Sequence, residues 1–332
     1  MASEPQEVGF FLVPGFSLMA LSAASEPLRS ANRVLGREAY RWSLISLDGR
    51  PVRASSGFTM VADRSTEEEP DFSLVIVVSS LDVAGYRDQR LFNWLRRLGH
   101  KGCRLGAVST ATFLLARAGL LSGHRCTIHW ETLRDFAEEF PEIEVNRDLF
   151  CIDRNRLTCA GGTAALDLML ALIAQEHGET AAADVAEQFL HTRIRPPGES
   201  QRMSVQWRYG ITDRRLVRAI TLMEQNSERP LPTQALAQIA GISPRQLERL
   251  FLQSFDRRPS RFYLELRLRQ AQTMLLQSTD SISQIAAKCG FASASHLGKC
   301  YREAFKDTPA HVRRSRGQGG DPARPDGPKR PA

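Results

Sequence analysis

Through the first 190 residues, short apolar runs alternate with longer amphipathic stretches. "VGFFLV" (8–13) is a compact apolar run that stops at Pro14-Gly15, and residues 17–35 follow with helical spacing. "RWSLISL" (41–47) alternates with the period of a strand. "FSLVIVVSS" (72–80) is continuous and β-branched, the pattern of a strand buried on both faces. Residues 87–99 return to helical spacing, and "RLGAVSTATFLLARAGLL" (104–121) reads as a strand over Leu105 to Val108, a tight turn, then a helix from about Thr110. "HWETLRDFAEEF" predicts another helix; "RDLFCIDRNRLTCAGG" and the helical "TAALDLMLALIAQEHG" follow. This strand–helix rhythm predicts a parallel sheet covered by helices.

The segment "HTRIRPPGESQRMSVQWRYGITD" (191–213) breaks the rhythm. It holds Pro196-Pro197-Gly198 and little apolar periodicity, so 191–212 is expected to be a linker. The expected division is therefore a domain over 1–190, the linker, a second domain over 213–314, and a Gly/Pro-rich tail over 315–332 that should be disordered.

Residues 213–314 are almost wholly helical in pattern and contain an internal repeat. "LAQIAGIS" (236–243) matches "IAAKCGFA" (285–292), with Ala237 on Ala286, Gly241 on Gly290 and Ile242 on Phe291. One residue further apart, Leu247 pairs with Leu297, Phe251 with Tyr301, Phe255 with Phe305 and Pro259 with Pro309. In each copy a small residue lets another helix approach, and a glycine then supplies a turn that tolerates φ > 0. A serine in N-cap position, Ser243 or Ser293, opens a second helix with one apolar face. That is a helix-turn-helix written twice. The stretch "SRFYLELRLRQAQTMLLQ" (260–277) joins the copies; as a rigid helix it would set their spacing, so that both second helices enter successive major grooves.

Charge sharpens the division. Residues 191–332 carry 25 Lys and Arg against 12 Asp and Glu, whereas residues 1–190 carry 19 against 25. A basic C-terminal part points to a polyanionic partner for that half alone. Hydrophobic content of 42% and charged content of 24% fit a globular protein. No run of 18 apolar residues is present, and the N-terminus "MASEPQEVGFFLVPGF" lacks the basic start of a secretory signal, so no membrane association is expected. The cysteines at 103, 126, 151, 159, 289 and 300 form neither a C-x-x-C pair nor a Cys/His cluster. Reduced thiols in a cytoplasmic protein, with no metal and no cofactor, are the expectation.

The strand-to-helix corner at Ser109 is where such folds often hold a nucleophile. Ser109 needs a base to remove its proton. "GAVSTA" is not G-x-S-x-G. His129 is a candidate base without an evident orienting carboxylate. A helix N-terminus with hydroxyls at Ser109 and Thr110 would instead suit a small carboxylate. Trp130 could offer a π face to an ammonium group, and Glu26 could meet a cation.

Two resemblances add to this reading. "LAQIAGISPRQLERLF", "RFYLELRLRQAQTMLL" and "ISQIAAKCGFASASHLGKCYREAFKDTPAHVRR" make residues 213–314 resemble the AraC-type DNA-binding domain. This chain departs from the family's glycine after the phenylalanine of each second helix, where it has Asp256 and Lys306. "GFFLVPGFSLMALSAASEPLRSAN", "VSTATFLLARAGLLSGHRCTIHW" and "RLTCAGGTAALDLMLALI" resemble the PfpI-type, glutamine-amidotransferase-like fold, in particular its GlxA-type subfamily, in which that fold precedes an AraC-type domain. The resemblance implies an α/β class: a flavodoxin-like parallel sheet sandwich, then an all-α domain with two helix-turn-helix motifs. Enzymes of that fold carry a cysteine at the corner with a histidine and an acid. Here Ser109 replaces the cysteine, and the acid would fall near Ala20. The implied function is a DNA-binding transcriptional regulator, expected to activate, to dimerise and to work with RNA polymerase, rather than an enzyme. The alternative is an amidohydrolase or peptidase-like enzyme with an appended DNA-binding domain.

On the first recognition helix Leu247 and Leu250 face the core, so Arg245, Glu248 and Arg249 should face promoter DNA, where arginine can read guanine and glutamate cytosine. Ala294, Ser295, Gly298 and Lys299 on the second helix are poor in base-reading groups. The expected DNA set is thus Ser243, Arg245, Glu248, Arg249, Ser293, Ser295 and Lys299; the expected ligand set is Glu26, Ser109, Thr110, His129 and Trp130. "ASEPLRSANRVLGREAYRWSLISLDG" resembles regulators of quaternary-amine catabolism, such as carnitine and glycine-betaine responders, which implies a zwitterionic effector.

Overall fold

The computed structural model describes residues 4–316 except 69, 70, 82, 84 and 279, so the expectation for the tail lies, from residue 317 on, outside the described residues. The chain forms two compact units, Met1–Arg202 and Met203–Ala332.

In the first unit the elements run β1 (Gln6–Leu12), α1 (Leu18–Leu35), β2 (Tyr40–Ser46), β3 (Val52–Arg53), β4 (Thr59–Met60), β5 (Arg64–Ser65), β6 (Leu74–Val78), α2 (Gln89–His100), β7 (Arg104–Val108), α3 (Thr112–Arg117), β8 (Arg125–Thr127), α4 (Leu133–Glu139), β9 (Glu144–Asn146), β10 (Phe150–Asp153), β11 (Arg156–Cys159), α5 (Ala164–His177) and α6 (Glu179–Gln188). The main sheet has the order β10-β11-β7-β6-β1-β2-β5. Every pairing in it is parallel except that of β10 with β11.

The continuous apolar strands are at the centre because both of their faces are covered. Phe10, Leu12, Ile76 and Val78 enter one core with residues of α1, α5 and α6. Their alternates Phe11, Val13, Val75 and Val77 enter a second core with residues of α2, α3 and α4. Ser17 and Asp88 cap α1 and α2 with their side chains. The helix expected over 129–140 is shorter, since the chain turns at His129–Thr132 and only Leu133–Glu139 is helical.

Part of the expected linker is built into the units. Asp167, fully buried on α5, accepts from the Arg195 backbone N–H at 2.8 Å and guanidinium Nε at 2.9 Å, and pairs with His191 Nε2 at 2.9 Å. A buried carboxylate must be paired, and here the chain beyond α6 supplies the partners. On the other side, α7 (Val205–Tyr209) is tied to α8 (Arg214–Gln225) by a two-bond Arg208–Glu224 ion pair of 2.6 and 2.7 Å.

The second unit continues with α9 (Thr233–Ala240), α10 (Pro244–Phe255), α11 (Pro259–Gln277), α12 (Ile282–Lys288), α13 (Ala294–Phe305) and α14 (Pro309–Arg316). It has two small cores. Phe262 and Tyr263 of α11 enter the first, with Leu236, Ala237, Leu247 and Phe251. Leu268, Ala271 and Leu275 of the same helix enter the second, with Ile285, Ala286, Leu297 and Tyr301. A 19-residue helix spans about 28 Å, so one rod anchors both cores.

Candidate functional site

The two helix pairs α9–α10 and α12–α13 place the predicted DNA set on the surface. Leu247 and Phe251 are buried on α10 and Leu297 and Tyr301 on α13. Leu250, expected in the core, is only partly buried against it. Arg245, Glu248 and Arg249 are exposed on the opposite side of α10, and none of them joins an ion pair among the described residues. Their charges are free to meet base edges or phosphates. Ser295 and Lys299 are exposed on α13.

Ser243 and Ser293 are the N-caps of α10 and α13. Their hydroxyls accept from the N–H of Gln246 at 3.2 Å and of His296 at 3.1 Å. Gln246 returns the favour to the Ser243 N–H at 3.0 Å, a reciprocal capping box. Sequence reasoning passed over the exposed His296, whose ring packs edge-on against Phe291 with centroids 5.5 Å apart. A polar ring three residues after the N-cap of α13 was the available signal.

The turns differ in their surroundings. Gly241 and Gly290 both have positive φ, +76° and +69°. A Cβ on Gly241 would meet nothing within 4 Å, whereas one on Gly290 would lie 2.6 Å from the Ser227 carbonyl and 2.8 Å from that of Glu228. The α8–α9 connection therefore sits directly on the second turn. Arg267 of α11 clamps the same turn, donating to the Cys289 carbonyl at 2.7 Å and stacking 4.4 Å over Phe291. Asp256 and Lys306 take the left-handed conformation (φ 52° and 58°) that glycine takes most easily.

In the first unit the corner after β7 is a strained elbow. Ser109 has φ 68°, uncommon for a residue with a Cβ. The close approach of Gly161 holds it there, since a Cβ on Gly161 would lie 2.9 Å from the Ser109 Cβ. Among the described residues the Ser109 hydroxyl has no hydrogen-bond partner. The helix does not start at Thr110: residues 109–111 form a single 3-10 turn and α3 begins at Thr112, with six residues. Thr110 is fully buried and bonded to Ser79 Oγ at 2.9 Å and to the Ser80 carbonyl, so it is not free to face a ligand. Thr112 donates to the Thr127 carbonyl at 2.9 Å, tying the elbow to the end of β8.

His129 and Trp130 follow β8 together, their rings 5.6 Å apart. Burial holds the His129 imidazole below the usual histidine range, so it is neutral near pH 7. Its Nδ1 accepts from the Glu131 N–H at 3.4 Å, and it makes no hydrogen bond to Ser109. Trp130 is 39% exposed, and the Arg202 guanidinium stands 4.4 Å over its ring. Glu26 is on α1, paired with Arg29 at 2.7 Å. Ala20, where an acid would be needed, is buried in the first turn of α1, roughly 9 Å further back along the helix axis. The structure thus groups His129 with Trp130, keeps Ser109 at the elbow, and leaves Glu26 half-exposed on α1 beside Arg29. Among the described residues no group of three or more His, Cys, Asp or Glu could hold a metal ion, and no helix is long and apolar enough to cross a membrane.

Known proteins share both units. The DJ-1/PfpI family model matches residues 7–175 and a helix-turn-helix domain model matches residues 236–315. Over 309 residues the chain is 43% identical to the HTH-type transcriptional regulator GbdR of Pseudomonas aeruginosa, spanning 93% of this chain and 84% of that protein. It is 44% identical over 308 residues to the HTH-type transcriptional regulator CdhR of the same species, spanning 93% and 91%. The crystal structure of an AraC family transcriptional regulator from Pseudomonas putida aligns at a TM-score of 0.51 and 28% identity, over 56% of this chain and 100% of that one.

Proposed function

The chain belongs to the transcriptional regulators that join a DJ-1/PfpI-family domain to an AraC-type helix-turn-helix domain, and from that membership we propose how it works. The second unit binds promoter DNA, reading bases with Arg245, Glu248 and Arg249 and gripping phosphates with Lys299, Ser295 and the helix starts at Ser243 and Ser293. The first unit binds a small effector of the alkylammonium-carboxylate class, such as carnitine or glycine betaine, beside Ser109, His129 and Trp130. It also pairs two copies of the chain, which raises the effective concentration of the second DNA-binding unit. Bound to its effector, the dimer activates transcription by RNA polymerase without chemistry of its own.

One observation carries this reading. The elbow backbone at Ser109 is strained, yet among the described residues its hydroxyl has no hydrogen-bond partner. Such strain persists where a structure uses it, and binding is the use that needs no proton acceptor. A hydrolase would need His129 to reach Ser109, and its hydrogen bond goes to Glu131 instead.

The test is calorimetric titration of the full chain with carnitine, glycine betaine, dimethylglycine, choline and arginine. Heat from the zwitterions bearing a quaternary nitrogen is expected, with a Ser109→Ala variant binding several-fold more weakly and still regulating. Silence from every amine would sink the effector assignment. Loss of regulation in step with loss of a hydrolytic rate would revive the enzyme.

A further inference from the structure

The cation stacked on Trp130 belongs to the chain itself, and it is the last residue of the first unit. Arg202 is seated by its neighbour. Gln201 Nε2 faces three acceptors, Thr127 Oγ1 at 3.1 Å, the Ile128 carbonyl at 3.0 Å and the Asp148 carbonyl at 2.8 Å. Its Oε1 is buried with no partner. A primary amide nitrogen has two hydrogens, so three acceptors are shared, and the stranded oxygen forfeits its bond to water. The seat therefore holds the amide by its nitrogen alone. Thr127 links it to the elbow, because its carbonyl accepts from Thr112, three residues after Ser109.

We propose that Arg202 is a tethered latch: its guanidinium occupies the aromatic face of Trp130 that an alkylammonium ligand would take, and its displacement unseats the chain that leads into the DNA-binding unit. The inference rests on the reading of the first unit as an effector site. An organic cation and Arg202 cannot share one ring face, so binding and seating compete. Release of Gln201 then lets its stranded oxygen reach water. Ligand occupancy becomes a change in the freedom of the segment entering Met203, without any movement of the sheet.

Trypsin cleavage of the Arg202–Met203 bond in the full chain, followed by mass spectrometry, reads the latch directly, since only an unseated arginine fits a protease. Trp130→Leu should speed that cut about five- to ten-fold while leaving cuts elsewhere in residues 1–190 unchanged. Arg202→Lys, which keeps the cleavage site and a weaker cation–π contact, should be intermediate. An unchanged rate in Trp130→Leu, or equal acceleration at every site, overturns the latch; if that variant does not fold, an Arg202→Lys rate equal to wild type overturns it. Glycine betaine added to the wild-type chain should also speed the cut. Betaine bound by calorimetry with no effect on cleavage overturns the latch and leaves the effector reading standing. If no amine binds, the effector reading falls and ligand-driven release of the latch falls with it, while a faster cut in Trp130→Leu still shows that the ring seats Arg202.

Discussion

The two helix-turn-helix copies share a chassis and differ in what surrounds it. In both, a small residue, a left-handed glycine and a capped second helix appear in the same order. The first copy has an open turn at Gly241, a full capping box, and three exposed charges on its second helix without ion-pair partners. The second has a turn pressed between the Ser227–Glu228 carbonyls and Arg267, and a second helix that offers Ser295 and Lys299 beside the small Ala294 and Gly298. Repetition fixes backbone geometry, while neighbours decide function. The first copy is left exposed; the second is built into the contacts that join the halves of the unit.

The largest test of that contrast is the pair of glycines. Gly241→Ala pays only for a Cβ at positive φ, about 1–2 kcal/mol. Gly290→Ala must also push back two carbonyls, and should destabilise by roughly 3 kcal/mol or more in urea unfolding of the full chain. Equal losses would break the comparison.

Next are the two surfaces. Arg245→Ala should cost about 1–3 kcal/mol on the preferred sequence and relax choice at one or two base pairs. Lys299→Ala should weaken binding to all sequences alike and lower the salt slope by about one. Binding-site selection at several salt concentrations separates them; the same profile for both would make the copies equivalent.

The caps give a smaller effect. Ser243→Ala should cost about 1 kcal/mol, and Ser293→Ala somewhat less, because Ser243 is half of a reciprocal pair. The smallest concerns the corners. Lys306→Gly should stabilise by about 1 kcal/mol and Asp256→Gly by less, since Asp tolerates the left-handed region better. Thermal unfolding resolves both, and a loss at Lys306 would show that its side chain has a task beyond the turn.

The elbow teaches a related lesson. That Ser109 stands at a strand-to-helix corner was legible, because a continuous apolar run must end where a small hydroxyl and a helical pattern begin. That Thr110 would be buried against Ser79 was not, because the partner strand end is 31 residues away. The pairing of Trp130 with Arg202 was equally hidden, joining a loop to the middle of what read as a linker. Nor was it legible that Glu26 pairs with Arg29, one turn on, in a half-exposed surface ion pair.

Local chemistry settled what repeats along the chain: strand and helix periods, the two copies, their capping serines and turn glycines, and which half is basic. These follow from the sequence because each depends on residues within a turn or two of one another. Tertiary structure alone decided which glycine is crowded, which hydroxyl is free and which aromatic face is already taken. Those outcomes depend on groups brought together across tens of residues, and only the closed fold fixes which atoms meet.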